Sequence, residues 1–163
     1  MADLRKVTLT IIDNDGKILL GMKKRGFGNG HWNGFGGKPN DGESLIDCVC
    51  RETEEEAGIV LPKNELQLVG ILDFYFTNKP KNWDQQVHVY RVSSYEGSPK
   101  ETEEMKPQEF GLDEIPYHSM WPADIHWLPM VLDGKMVRGS FTFGEDGNVA
   151  DYAVSEVPHF EDI

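Results

Sequence analysis

Residues 36–59 constrain this chain more than any other stretch. The pair Gly36-Gly37 opens it and Gly58 closes it. After a turn at Asp41-Gly42, Ser44 suits a helix N-cap, and Asp47 three residues on stands in for the capping-box acid. Gly58 suits the left-handed residue that ends a helix. Within the helix so bounded, Leu45, Val49, Thr53 and Ala57 form one row, with Ile46 and Cys50 beside it, and that face is expected to pack on a sheet. The acids are the anomaly. At about 100° per residue, Glu52 and Glu56 fall next to the apolar row and Glu55 just outside it. Like charges at such spacings repel. A divalent cation is the simplest compensation, and a set of hard oxygen ligands points to magnesium or manganese rather than zinc.

The rest of the composition limits what such a cation can serve. The 163 residues suffice for one domain that buries roughly 70% of its unfolded surface. No apolar run approaches the ~20 residues of a membrane span, and the first residues lack the apolar segment of a signal peptide, so a cytoplasmic location is expected. Cys48 and Cys50 stand two apart on the predicted helix and point away from each other, which suits a reducing compartment. The formal net charge is −12. Such a surface repels nucleic acid duplexes and anionic membranes. It also repels a triphosphate unless positive charge is concentrated locally, as Lys23, Lys24, Arg25 and Lys38 provide.

Along the chain, residues 7–12 read as a strand, with a turn at 14–16 and a hairpin partner at 17–23. Residues 26–37 interleave Phe27, Trp32 and Phe35 with six glycines. They read either as a turn-rich connection whose aromatics fill the core or as a loop where backbone approaches a ligand. Residues 66–76 and 87–94 read as strands joined by a loop at 79–84. Residues 97–107 read as a polar connection and 109–112 as a short strand. Pro122 suits the first turn of a helix to about Leu132, which Pro129 must kink or shorten. A final hairpin follows, with 140–143 and 149–157 joined by the turn 145–148. The pattern predicts an α/β fold with a mixed sheet between helices.

The spacing Gly37, five residues, Glu43, seven residues, then Arg51-Glu52-Thr53-Glu54-Glu55-Glu56-Ala57-Gly58-Ile59 resembles the Nudix box. Segments 20–28, 32–38, 103–107 and 120–122 further resemble the animal oxidised-purine nucleoside triphosphatases of the Nudix family. The resemblance spans nearly the whole chain and implies one domain over residues 1–163 with the Nudix α/β/α sandwich. It also implies a monomeric enzyme that hydrolyses damaged purine nucleoside triphosphates, such as 8-oxo-dGTP, to the monophosphate and pyrophosphate. Three positions depart from the pattern. Thr53 replaces a bulky aliphatic residue, Ala123 replaces the first of two adjacent aspartates, and Gln85-Gln86 stand where the pocket has an apolar residue.

By their spacing Glu52, Glu55 and Glu56 can share one or two cations. By resemblance the carbonyl of Gly36 and the carboxylate of Glu104 complete that set, and either Glu56 or Glu104 is the base that takes the proton of water. Glu43 and Arg51 are expected to pair, so that Arg51 orients the catalytic acids. Resemblance makes Lys23 the phosphate partner, and Thr8, Phe27, Asn33, Phe74, Trp121 and Asp124 the contacts to the base. Phe35, Gly37 and Lys38 complete the expected substrate-binding set. As isolated residues Phe27, Phe74 and Trp121 read equally well as core. Two other readings stay open: a Nudix enzyme for another nucleoside diphosphate derivative (a methylated purine triphosphate, a dinucleoside polyphosphate or a sugar nucleotide), and a non-catalytic binding module.

Overall fold

The structure is a computed structural model that describes residues 4–26 and 28–160; Phe27, expected at the base, lies outside them. In chain order the elements are β1 (Arg5–Asn14), β2 (Lys17–Lys23), β3 (Trp32–Asn33), α1 (Leu45–Ala57), β4 (Gln67–Phe76), β5 (Gln85–Val92), β6 (Met105–Gly111), α2 (Asp124–Leu132), β7 (Met136–Phe143) and β8 (Val149–Val157). All eight strands join one sheet in the order β3-β2-β1-β5-β4-β7-β8, with β6 on β2. The β1–β5 and β4–β7 pairs are parallel and the others antiparallel. One apolar cluster joins the sheet to Trp127, Leu128 and Val131 of α2, and a second joins it to Ala57 of α1 through Phe35, Ile59 and Met105. The result is the expected α/β/α sandwich around a mixed sheet.

The functional geometry begins where β1 and β2 part. Asp15 and Gly16 take positive φ (52° and 75°), the geometry of a two-residue hairpin turn. The hairpin pairs only through Ile12–Leu19, Asp13–Ile18 and Asn14–Lys17. Beyond Leu19, β2 pairs with β3 in place of β1, with β6 along its other edge from Lys17 to Lys23, whereas β1 holds register with β5 from Arg5 to Ile12. The glycine-rich segment fills the gap. Phe35 bridges Thr10, and the Thr8 amide donates to the Gly37 carbonyl at 2.9 Å. A Cβ on Gly36 would overlap the carbonyl oxygen of Thr8, so only glycine lets the segment lie this close.

Helix α1 is capped as expected: Ser44 Oγ accepts from the Asp47 amide at 3.1 Å, and Gly58 has φ 72°. Its buried face differs from the expected row. Cys48, Val49, Thr53, Glu56 and Ala57 are buried, whereas Leu45, Ile46 and Cys50 are only half-buried. The helix is rolled toward its Cys48–Glu52–Glu56 side, because Cys48 packs on Thr8 and Gly37 while Glu56 reaches the Gly36 amide. Thr53 satisfies its buried hydroxyl by donating to the Val49 carbonyl at 2.6 Å.

Other boundaries move for local reasons. Strand β6 begins at Met105, inside the expected loop, and contains Pro107 opposite Gly21. It pairs only with β2, and an edge strand tolerates a missing amide proton. Pro122 and Ala123 form a turn before α2, which starts at Asp124 and continues through Pro129 to Leu132. Strand β7 starts at Met136, four residues before the expected boundary, because Gly139 interrupts the apolar pattern. Strand β5 starts two residues early, at Gln85.

The close approach on β1 has a direct consequence. Gly36→Ala is expected to lower stability by roughly 3 kcal/mol or more, read as a shift in the urea midpoint. An unchanged midpoint would mean that the segment does not press against Thr8.

Candidate active site

Glu56 is the most deeply placed acid of α1, with 3% of its surface exposed. Its Oε1 accepts from the Gly36 amide at 3.0 Å, and its Oε2 lies 3.9 Å from Lys23 Nζ. Burial pushes its carboxyl up to about 8, against the pull of the Gly36 amide and the Lys23 ammonium; Glu52 and Glu104 push it further up. Glu52 sits one turn earlier on the same side, and burial raises its carboxyl too. Its carboxylate lies against Gly37, where an added Cβ would be 2.6 Å from it.

Glu104 is far away in sequence but is carried here by β6. Lys23 pairs with Met105 in the β2–β6 ladder, and the Lys24 amide donates to the Glu104 carbonyl at 2.8 Å. The Glu104 carboxylate then lies 3.7 Å from Lys23 Nζ and 3.8 Å from Arg25. Thr102 fixes the loop: its hydroxyl donates to the Glu56 carbonyl at 3.0 Å and accepts from the Glu104 and Met105 amides at 3.2 Å. Nothing in the spacing of residues 97–107 signalled this clamp.

Arg51 organises the other side of the helix. Its Nε and one terminal nitrogen donate to the two oxygens of Glu43 at 2.8 and 2.9 Å, the expected pair. The other nitrogen donates to Glu52 at 3.1 Å and Glu55 at 3.2 Å, and a further bond reaches the Lys38 carbonyl. The bidentate bond from Arg51 holds the Glu43 carboxyl at about 2. Arg51 therefore ties the loop before α1 to the acids without lining the cavity.

A cavity of about 480 Å³ opens beside these groups. One end carries Lys23, Gly36, Gly37, Glu52, Glu56 and Glu104, with Lys38 and Thr8 at its border. The opposite end carries Phe74, Phe76, Trp83 and Trp121, with Asn33, Asp124 and Trp127 on the walls. Asn33 Oδ1 accepts from the Gly34 amide at 2.9 Å, which leaves its amide nitrogen as a donor. Asp124 is buried. Its Oδ1 accepts from the Trp127 indole at 3.2 Å while Oδ2 has no partner, and burial pushes its carboxyl up to about 7. Trp121 lies parallel to His31, with ring centroids 5.5 Å apart.

Residues 3–131 match the family described as NUDIX domain. The chain belongs to the Nudix family. It is 41% identical to the oxidized purine nucleoside triphosphate hydrolase of Mus musculus, over 98% of this chain and 100% of that protein. The enzyme of the same description from Danio rerio is also 41% identical, over 93% of this chain and 94% of its own length. The crystal structure of the mutator MutT protein from Bacillus halodurans superposes with a TM-score of 0.81 at 27% identity. That match covers 93% of this chain and 98% of the other.

Within this Nudix fold most expected site residues converge, but three do not meet the cavity. Phe35, expected to bind substrate, is fully buried in the α1-side core with Ile12, Leu19 and Met105. Its neighbours are glycines, and its ring lies against Gly21 of β2 while its backbone bridges Thr10 of β1, which closes the split between the two strands. Arg51 and Glu55 stay outside because they pair with each other at the rim. Conversely, Arg5, Asn82, Trp83 and Trp127 line the cavity without having been expected there, and Gln85, noted as a departure from an apolar pocket residue, lines it too. Only Trp127 had a readable cue, its spacing of three from Asp124.

Whether these residues suit a divalent cation can be judged from their charges. Among the described residues no three aspartate, glutamate, histidine or cysteine side chains are gathered into a finished metal cage. Lys23 instead sits between Glu56 and Glu104, and Arg51 takes Glu52 and Glu55. The ammonium marks where positive charge is held, and the donors are all hard oxygens, so the set fits a cation of the magnesium type.

The raised Glu56 and Asp124 carboxyls weaken folding as pH rises. Below the ordinary values of 4.5 and 3.8 both are protonated in either state, folded or unfolded. Above them the unfolded chain ionises while the fold resists, until about pH 8 for Glu56 and about 7 for Asp124. Without divalent metal, Tm is expected to fall between pH 5 and 8. Glu56→Gln should flatten that slope and raise Tm at pH 8 by roughly 5 °C. A Tm that rises across this range in the wild type would contradict the burial of Glu56.

Proposed function

We propose that this Nudix protein is a magnesium-dependent pyrophosphohydrolase that converts oxidised purine nucleoside triphosphates of the 8-oxo-dGTP type to the monophosphate and pyrophosphate. One observation carries the reading: a single cavity has clustered acids and a lysine at one end and aromatic rings with the unpartnered Asp124 Oδ2 at the other. A nucleotide has the same polarity. The names of the mouse and zebrafish relatives supply the substrate class.

Glu52, Glu56 and Glu104, with the Gly36 carbonyl, would hold the cation, with Glu55 at the rim. When bound, magnesium neutralises phosphate charge and activates water. Lys23, now between Glu56 and Glu104, turns to the phosphate oxygens. Glu56, the most deeply buried of these acids and fixed by the Gly36 amide, accepts the proton of water. Arg51 keeps Glu52 oriented through its bonds to Glu43 and Glu52. Trp121 and Phe74 hold the base, whose edge meets Asn33 and Asp124. Every group in this scheme comes from one chain, which suits a monomer working as one domain, and the free thiols of Cys48 and Cys50 suit the cytoplasm.

A second reading has its own support. Ala123 is fully buried and its side chain has no hydrogen-bonding group, and Gln85 adds a polar group to the cavity lining. Together they favour another modified purine triphosphate, such as a methylated one, with the same chemistry.

Pyrophosphate release across a nucleotide panel, with and without magnesium, tests both. The expected result is magnesium-dependent turnover with kcat/KM for 8-oxo-dGTP at least about tenfold above dGTP. Equal rates on the two would defeat the oxidised-purine reading. Glu56→Gln is expected to lower kcat by roughly 100-fold or more while preserving the fold; a fully active variant would remove Glu56 from the reaction.

A further inference from the structure

Two buried polar atoms bordering the cavity have no partner: Oδ2 of Asp124 and Nε of Arg5. Asp124 belongs to the purine site proposed above, but Arg5 has no role there. Among the described residues its Nε meets no acceptor, in a chain whose formal net charge is −12. Buried donors are normally satisfied. A guanidinium Nε–H left unmatched in so acidic a protein, on the wall of a ligand-sized cavity, waits for an acceptor that arrives with the ligand.

Strand register locates it. Arg5 lies beside Gln85 in the parallel β1–β5 ladder, and Gln85 lies opposite Phe74 on β4. Side chains alternate along a strand, so Arg5 shares a face with Val7 and Leu9, and Gln85 with Val87; all five line the cavity. Two residues before Gln85 comes Trp83, and two after Phe74 comes Phe76; their rings lie 5.8 Å apart, and Phe76 lies 6.4 Å from Trp121. Arg5 and Gln85 thus sit at the aromatic end. The phosphate end is set by Gly37, which bonds Thr8, three residues farther along β1 and about 10 Å away.

We infer that Arg5 and Gln85 form a donor pair that selects purines bearing a ring carbonyl oxygen. The inference rests on the purine triphosphate reading and names the group by which the site chooses its base. Guanidinium nitrogens can only donate, and the Gln85 amide nitrogen donates as well. A carbonyl oxygen on the base accepts from both, whereas an exocyclic amine at the same place would set donor against donor at Arg5, which has no acceptor to offer. Asp124 Oδ2 accepts from a ring N–H of the same base, so both orphaned atoms are satisfied together. Ala123, which stands where the family pattern has an aspartate, has no hydrogen-bonding side chain, and discrimination passes to Arg5 and Gln85. Sites that must hydrogen-bond a substrate reject the mismatched analogue far better than apolar pockets do.

The test is the ratio of Kd for dAMP, which has no ring carbonyl, to Kd for 8-oxo-dGMP. It is measured by calorimetry on the wild type, Arg5→Met and Gln85→Met. The ratio is expected to fall about tenfold in each variant, with Tm confirming the fold; Gln85→Met, close in volume, serves where Arg5→Met does not fold. An unchanged ratio, including an equal loss of affinity for both nucleotides, overturns the inference. Turnover of the wild type separates the two levels. An enzyme that hydrolyses no purine triphosphate overturns the purine reading and this inference with it. One that hydrolyses 8-oxo-dGTP while both variants keep the wild-type ratio overturns the inference alone.

Discussion

The bond from the Gly36 amide to the buried carboxylate of Glu56 holds the site together. It joins the helix that supplies the acids to the segment that splits β1 from β2, so fold and site cannot form separately. A carboxyl taken almost wholly out of water is costly unless it is matched. Here it is matched only in part, by one amide and an ammonium 3.9 Å away, and its proton affinity rises accordingly. The remaining mismatch is an attraction for positive charge, and a divalent cation relieves it most fully.

The sheet explains why distant acids meet there. Where β2 leaves β1 after Leu19, β3 takes the vacated edge, while β6 runs along the other edge of β2 and delivers Glu104 beside Lys23. Thr102 then bonds the carbonyl of Glu56 itself. The site is a closed loop of contacts: Gly36 to Glu56, Glu56 through Thr102 to Glu104, and Glu104 to Lys23 on the strand that leads back to the glycines. Its rigidity comes from backbone pairing rather than from the long acidic side chains, which suits a reaction that depends on placing charge.

Much of this was legible in the chain. The caps at Ser44 and Gly58 fixed α1, and the alternation in β1, β2 and the last hairpin fixed most strands. Glu52 and Glu56 stood out because acids next to an apolar row demand a reason. What stayed hidden depended on contacts between distant segments. The roll of α1 toward Cys48 follows from Thr8 and Gly37, which no helical period reveals. Phe35 looked like a ligand contact because of its glycine neighbours, yet those glycines exist to let the backbone touch β1 and bury the ring. Arg5 and Gln85 fell outside the expected strands, and Gln85 stood out only as a departure from an apolar pocket residue; the parallel register sets the two side by side on the cavity wall.

The central claim is that buried Glu56 holds a proton in the metal-free protein and yields it to a cation. Magnesium titration by calorimetry at pH 7, in buffers of different ionisation enthalpy, counts the protons released on binding. The account predicts release approaching one proton in the wild type and a clear loss of that release in Glu56→Gln. Magnesium binding with no proton release, or with equal release in both proteins, would contradict it.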